Sequence, residues 1–229
     1  MEDNQTMYQV STLQALSMGY TRPVITVGEL LGHGDTGLGT YADLNGELIL
    51  VDGNCYQANV NGVVRKMPPE TGVSFCSVSF MERDRHIKIT EPMDIDALQS
   101  FLNIKIEERF GLNCMHITRI EGYFEEITAR SEVPYRSHHI ELKDILEYTQ
   151  NVFVFKKLKG TLIGVYYPDY MDSLNQAGWH FHFVSEGRTL GGHVFELQMA
   201  KGEAFIDKIR YLEIQLPWEP AFDTYSLKK

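Results

Sequence analysis

Gly178-Trp179-His180-Phe181-His182-Phe183-Val184-Ser185, then Glu186-Gly187-Arg188-Thr189-Leu190, then Gly191-Gly192-His193-Val194-Phe195: this stretch decides how the rest of the chain reads. On a strand, residues two apart point to the same face, so His180 and His182 project together while Phe181 and Phe183 go to the other side. The charge and glycine content of residues 186–192 is that of a turn, and it lets the chain reverse. His193 then opens the next strand opposite the first pair, and three imidazoles converge. Three histidines with further positions left open are the usual protein share of a catalytic zinc or related site, whereas structural zinc sites are closed by four ligands, mostly thiolates.

Outward from this hairpin the strand rhythm continues. Residues 156–167, 192–199 and 210–216 are apolar-rich runs of strand character. From 24 to 56 glycines crowd together and separate short apolar runs, the pattern of strands and tight turns. Asp52-Gly53 and Asn61-Gly62 are hairpin dipeptides, flanked by strand-like residues 48–51, 55–60 and 63–66. Residues 73–81 and 114–127 add two more strands. Three segments read as helices. Residues 8–20 have Ser11 or Thr12 as N-cap and Gly19 as stop, and residues 95–110 put Leu98, Phe101, Leu102 and Ile106 on one face before Gly111; residues 142–149 form the third. Strands at both ends with helices between predict an α+β (mixed α/β) fold, two mixed, strand-rich sheets with a few short helices, and not a regular βαβ winding. An N-terminal sheet lobe over 1–150 and a C-terminal lobe over 151–229 carrying the histidines are expected to meet at 145–160, with one compact unit as the alternative.

Composition narrows the function classes. The chain has 229 residues, 43% hydrophobic and 23% charged, enough to bury a core, and it contains no run long enough to cross a bilayer. A formal net charge of -10 argues against nucleic acid or an anionic membrane as partner, because both require a positive surface. Cys55, Cys76 and Cys114 are three, widely spaced and without a CxxC pair, which suits reduced thiols. Residues 1–10 carry Glu2 and Asp3 and no apolar core of a signal peptide, so a cytoplasmic location is expected.

Two charged residues acquire meaning beside a metal. Glu47 opens the apolar run Glu47-Leu48-Ile49-Leu50-Val51 and reads either as a solvated edge residue or as a catalytic carboxylate. Arg130, in Thr128-Ala129-Arg130-Ser131-Glu132, reads either as a surface cation or as a fork for a substrate carboxylate. His33, His86, His116, His138 and His139 show no comparable spacing and are expected at the surface or in supporting positions.

Taken in order, Gly37-Leu38-Gly39-Thr40-Tyr41, Leu44-Asn45-Gly46-Glu47-Leu48-Ile49, Asp52-Gly53-Asn54-Cys55-Tyr56, Ser74-Phe75-Cys76-Ser77, Ile120-Glu121-Gly122-Tyr123-Phe124 and the histidine block resemble the acetolactate decarboxylase family over nearly the whole chain. The resemblance implies a carboxy-lyase that turns 2-acetolactate into acetoin through a metal-stabilised enediolate. It implies His180, His182 and His193 as ligands of Zn2+ or another divalent metal, Glu47 and Arg130 as catalytic residues, Thr40 and Arg130 as substrate-binding residues, and a homodimer. One departure stands out: the family's further glutamate near the C-terminus has no evident match, although Glu213 and Glu219 lie in that region. Two other readings compete. His180-Phe181-His182 with Glu186 has the spacing of a cupin's first metal motif, though no second motif follows residue 193. A non-catalytic metal- or ligand-binding sheet protein is the other.

Overall fold

The computed structural model describes residues 5–82, 86–109, 111–136 and 140–227. Its strands are β1 (Thr6–Val10), β2 (Ile25–Thr26), β3 (Thr36–Tyr41), β4 (Glu47–Val51), β5 (Asn54–Ala58), β6 (Val64–Lys66), β7 (Gly72–Ser79), β8 (His86–Ile89), β9 (Met93–Asp94), β10 (Met115–Glu132), β11 (Gln150–Tyr167), β12 (Gly178–Ser185), β13 (Gly191–Ile209) and β14 (Tyr211–Gln215). The helices are α1 (Leu13–Ser17), α2 (Val27–Leu30), α3 (Ile95–Arg109), α4 (Leu142–Thr149) and α5 (Pro220–Asp223). The expected α+β architecture of two strand-rich sheets is what the chain adopts.

The first sheet runs β14-β1-β7-β3-β4-β5-β6, with β2 also on β7. Its β4–β5 turn is made by Asp52 (φ 53°) and Gly53 (φ 65°), both left-handed, the conformation a two-residue hairpin needs. Every residue of β4 is buried, because both faces of this strand are covered. Ile49 and Val51 pack toward the second sheet, while Leu48 and Leu50 pack with Tyr8, Tyr41 and Val73 on the other side.

The second sheet runs β10-β11-β12-β13-β8, and β10 pairs with β13 as well as with β11, so four strands close on themselves. Inside this ring lie Ile120, Phe124, Leu162, Phe181 and Phe183, packed with Leu98, Leu102 and Ile106 of α3. Burying each such side chain stabilises by roughly 1.5–3 kcal/mol. Tight curling depends on glycine: Gly122 faces Gly160 on one side and Gly202 on the other. A Cβ at Gly160 would sit 2.4 Å from the Phe183 ring, and one at Gly202 would sit 2.2 Å from Met199. The outer face of the ring, through Ile117, Ile163, Val165 and Val184, packs on the first sheet.

Several expectations are corrected. Residues 6–10 form a strand and not the start of a helix, because pairing with β7 and β14 outweighs local preference. The helix begins later, at Leu13, where the Thr12 hydroxyl accepts from the Ala15 N–H. The strands expected over 114–127 and 192–199 extend to Glu132 and Ile209. Sheet membership crosses residue 150 in both directions, since β8, β9 and β10 lie in the second sheet and β14 in the first. The chain therefore does not change sheets at a single point near 150. Phe110, His138 and His139 lie outside the described residues.

Candidate active site and metal centre

The histidine hairpin forms as its alternation requires. In β12, Phe181 and Phe183 enter the ring interior, which turns His180 and His182 outward toward the first sheet. His182 is the direct cross-strand partner of His193, and Arg130 on β10 is the partner of His193 on its other side. One row across three strands thus carries His182, His193 and the guanidinium, and His180 lies two residues along β12 on the same face.

The ring of His182 is fully buried, and its Nδ1 lies 2.8 Å from the Leu48 carbonyl of β4, an acceptor. Nδ1–H therefore donates there, and Nε2 keeps its lone pair. That Nε2 stands 3.2 Å from His180 Nε2 and 3.4 Å from His193 Nδ1, while the latter two are 2.9 Å apart. A tetrahedral ion with metal–nitrogen bonds of ~2.0–2.1 Å separates its ligand atoms by about 3.3 Å. The donor set fits a divalent cation in spacing and in chemistry. Burial, reinforced by Arg130, lowers His180 to about 3. Burial and the neighbouring imidazoles likewise hold His182 and His193 well below the ordinary histidine range. All three present neutral nitrogens at neutral pH, the form a metal requires.

Glu47, at the start of β4, is 6% exposed, and its Oε2 lies 3.3 Å from His182 Nε2. Burial, then the nearby Glu132, raises its carboxyl well above the usual range. Arg130 donates from Nη1 to Gln150 Oε1 at 2.6 Å and packs over Phe195, 5.1 Å from the ring centroid. Its buried Nε has no hydrogen-bond partner among the described residues. A free N–H in that position is a ready donor for an anionic ligand. Thr40 of β3, opposite Glu47 in register, donates from Oγ1 to the Gly46 carbonyl at 3.1 Å.

All six sequence-nominated residues, Thr40, Glu47, Arg130, His180, His182 and His193, line one cavity of about 140 Å³, room for a molecule of a few carbons. Its apolar wall includes Leu13, Leu16, Leu44 and Phe75, and Asn175 and Gln176 also line it. A larger cavity of about 680 Å³ opens over Tyr123, Lys159 and Lys201. It contains none of these groups, and chemistry places the site in the smaller one.

Sequence reasoning missed Glu132, which lines the same cavity and is 3% exposed. Its spacing from Arg130, two residues along one strand, was the available signal. Neither C-terminal candidate is among the cavity's lining residues: Glu219 pairs with Arg22 at 3.1 Å, and Glu213 lies on β14 beside Tyr8. Among the other histidines, His86 is exposed and His33 stacks on Tyr8. His116 is fully buried, its Nε2 3.0 Å from the Gly111 carbonyl.

A strand-rich α+β fold whose inter-sheet cavity joins three neutral imidazoles, a guanidinium and buried carboxyls defines a class, that of small-molecule enzymes with a metal-ready centre. The family model for alpha-acetolactate decarboxylase matches residues 7–229. Among similar proteins, the alpha-acetolactate decarboxylase of Methanosarcina mazei is 34% identical over 92% of this chain and 72% of its own length; that of Brevibacillus brevis is 33% identical over 92% and 73%. The crystal structure of alpha-acetolactate decarboxylase from Bacillus subtilis strain 168 superposes with a TM-score of 0.92 at 28% identity, covering 98% of this chain and 94% of that one. The chain belongs to the alpha-acetolactate decarboxylase family and is an enzyme of it. The cupin and non-catalytic alternatives fall away with that result.

Proposed function

We propose that the chain removes carbon dioxide from 2-acetolactate to give acetoin, with a divalent cation held by His180, His182 and His193. The observation that carries this reading is the convergence of three neutral imidazole nitrogens beside Glu47 and Arg130 in one small cavity. Acetolactate bears a carboxylate, a tertiary hydroxyl and a ketone on neighbouring carbons. Breaking the bond to the carboxylate leaves an electron pair that needs a sink. A divalent cation at the histidines supplies a Lewis acid that polarises the ketone and stabilises the resulting enediolate.

The remaining steps belong to the side chains. Arg130 orients the substrate carboxylate through its unmatched Nε–H and faces the enediolate once carbon dioxide has left. Glu47, kept protonated by burial, gives its proton to the carbon that carried the carboxylate. The electron pair that moved to the ketone oxygen returns as this new C–H bond forms, and acetoin is the product. Thr40 shapes the end of the cavity where Glu47 enters. Zinc as the cation and a homodimer as the assembly come with the family resemblance, and the cytoplasm with the reduced cysteines.

Acetoin formation from racemic acetolactate, with and without a chelator and with His182→Ala in parallel, tests the reading. Fast conversion of about half the substrate, abolished by chelator and by the substitution, is the expected result. Acetoin at the spontaneous rate, from protein that carries one equivalent of metal, would sink it.

A further inference from the structure

The larger cavity, of about 680 Å³, lies on a face of the second sheet built from two cross-strand rows. In one row Tyr123 of β10 is flanked directly by Lys159 of β11 and Lys201 of β13. In the next, Glu121 stands between Thr161 and Glu203, and Glu203 faces Lys88 of β8. In-register partners point to the same face, so these side chains share one floor. The cavity has the size of a small-molecule site. Its wall toward the first sheet is fixed by ion pairs. Arg119, 5% exposed, donates to Asp52 Oδ1 at 2.7 Å and from Nε to Glu121 at 2.9 Å. Arg188 donates to Thr161 Oγ1 at 3.2 Å and reaches Asp52 at 3.5 Å.

Those pairs occupy the arginines and Glu121, and they leave the lysines over. Lys88, Lys159 and Lys201 are exposed, and none of them forms an ion pair with a carboxylate among the described residues. The chain as a whole has 31 acidic against 21 basic residues, yet this cavity is lined by five cations (Lys88, Arg119, Lys159, Arg188, Lys201) and only three carboxylates (Glu121, Glu186, Glu203). A merely solvated face of so acidic a chain would carry the opposite excess. The spacing of the charges is set by the sheet. Neighbouring strands lie about 4.8 Å apart, which puts the Lys159 and Lys201 backbones about 10 Å from each other with the Tyr123 ring between them.

We propose that this cavity is a second binding site, for a small organic molecule that carries an anionic group at each end. One end sits on Lys159 and the other on Lys201, the carbon body lies across Tyr123, and Lys88 adds attraction on the Lys201 side. Phosphate and carboxylate share the chemistry that two ammonium groups recognise. The site is separate from the catalytic cavity, with which it has no lining residue in common, and it does not depend on the decarboxylase reading.

Calorimetric titration of the purified protein at constant ionic strength tests this. The two-ended probes are fructose 1,6-bisphosphate and glutarate, each beside its one-ended counterpart, glucose 6-phosphate or butyrate. The expected result is one equivalent of a two-ended probe per chain, bound at least about tenfold tighter than its counterpart; the probe that binds identifies the anion as phosphate or carboxylate. Lys159→Gln and Lys201→Gln should each weaken that binding by about tenfold or more, while Lys66→Gln, an exposed lysine on β6, leaves it unchanged. Both cavity lysines are exposed, so melting temperatures without ligand should match the parent. Failure of both two-ended probes to bind below about 1 mM overturns the proposal. So does equally tight binding of the one-ended compounds, or an equal loss in Lys66→Gln, which would be unspecific charge attraction. Binding that survives both cavity substitutions lies elsewhere on the molecule and overturns it as well.

Discussion

Glu47 and Arg130 each carry one step of the proposed chemistry, and conservative substitutions separate their roles. Glu47→Gln keeps the size of the side chain but has no acidic proton to give, so kcat should fall by a factor on the order of 100 or more while the metal stays bound. Arg130→Lys keeps the charge and removes the planar fork and the Nε–H, so the loss should appear in both kcat and KM. Steady-state kinetics beside metal analysis checks both; near-normal turnover in either variant removes that residue from the mechanism. At this scale the sequence was legible where periodicity or family pattern singled a residue out. His180 and His182 show their common face directly. Glu132 does not stand out, because a carboxylate closing a half-polar strand reads as solvated until Ser131 is seen to pin it under the first sheet. The Leu48 carbonyl that orients His182 is a backbone group, and side-chain pattern carries no trace of it.

Among the elements, the β12–β13 hairpin is the one on which the site depends, and its ladder is short, with His182, Phe183 and Val184 opposite His193, Gly192 and Gly191. A Cβ on Gly191 would lie 2.5 Å from the Phe183 carbonyl oxygen and 2.9 Å from Val64. Gly191→Ala should therefore push the strands apart, costing about 1–3 kcal/mol and weakening metal binding, because His182 and His193 lose their register. Thermal melts and a metal titration read the two effects; a variant that melts and binds metal like the parent contradicts the steric argument. Local signals located this hairpin, the Asp52-Gly53 turn and α4 with its bounds at Leu142 and Thr149. They failed for β1, β8 and β9. β1 is a short apolar segment whose strand state comes from partners at residues 76–78 and 211–215, and such non-local pairings leave little mark on the segment itself.

For the whole molecule, burying three imidazoles between two sheets links stability to pH and to metal. A free histidine titrates near 6.5, whereas His180 is held at about 3 and the other two are lowered as well. Between those values the unfolded chain binds protons that the folded chain does not, so the histidine contribution to stability falls as pH falls below about 6.5. Glu47 and Glu132 act with the opposite sign: their raised values mean that the folded carboxyls stay neutral where unfolded ones ionise, and stability declines as pH rises through the acid range. Comparing metal-free parent with His182→Ala isolates the first effect. The variant should gain in melting temperature relative to the parent as pH drops from about 7 to about 5, and a difference that does not change with pH would contradict it. Because protons compete weakly for nitrogens so depressed, the assembled site should still retain its cation after dialysis at about pH 5, measured as metal per chain.

Alternation, turn dipeptides and glycine content were enough to reveal strands, hairpins and the common face of two histidines, because those are properties of neighbours along the chain. Tertiary structure decided which sheet each strand joined, that β10 meets both β11 and β13 to close a ring, and that β14 returns from the far end of the chain to lie beside β1. It also decided the site: Glu47 and Thr40 come from one sheet and Arg130, Glu132 and the histidines from the other. Contacts across that interface form by burial of apolar surface between residues far apart along the chain, and burial, not sequence neighbourhood, is what favours the neutral forms of Glu47 and the three imidazoles.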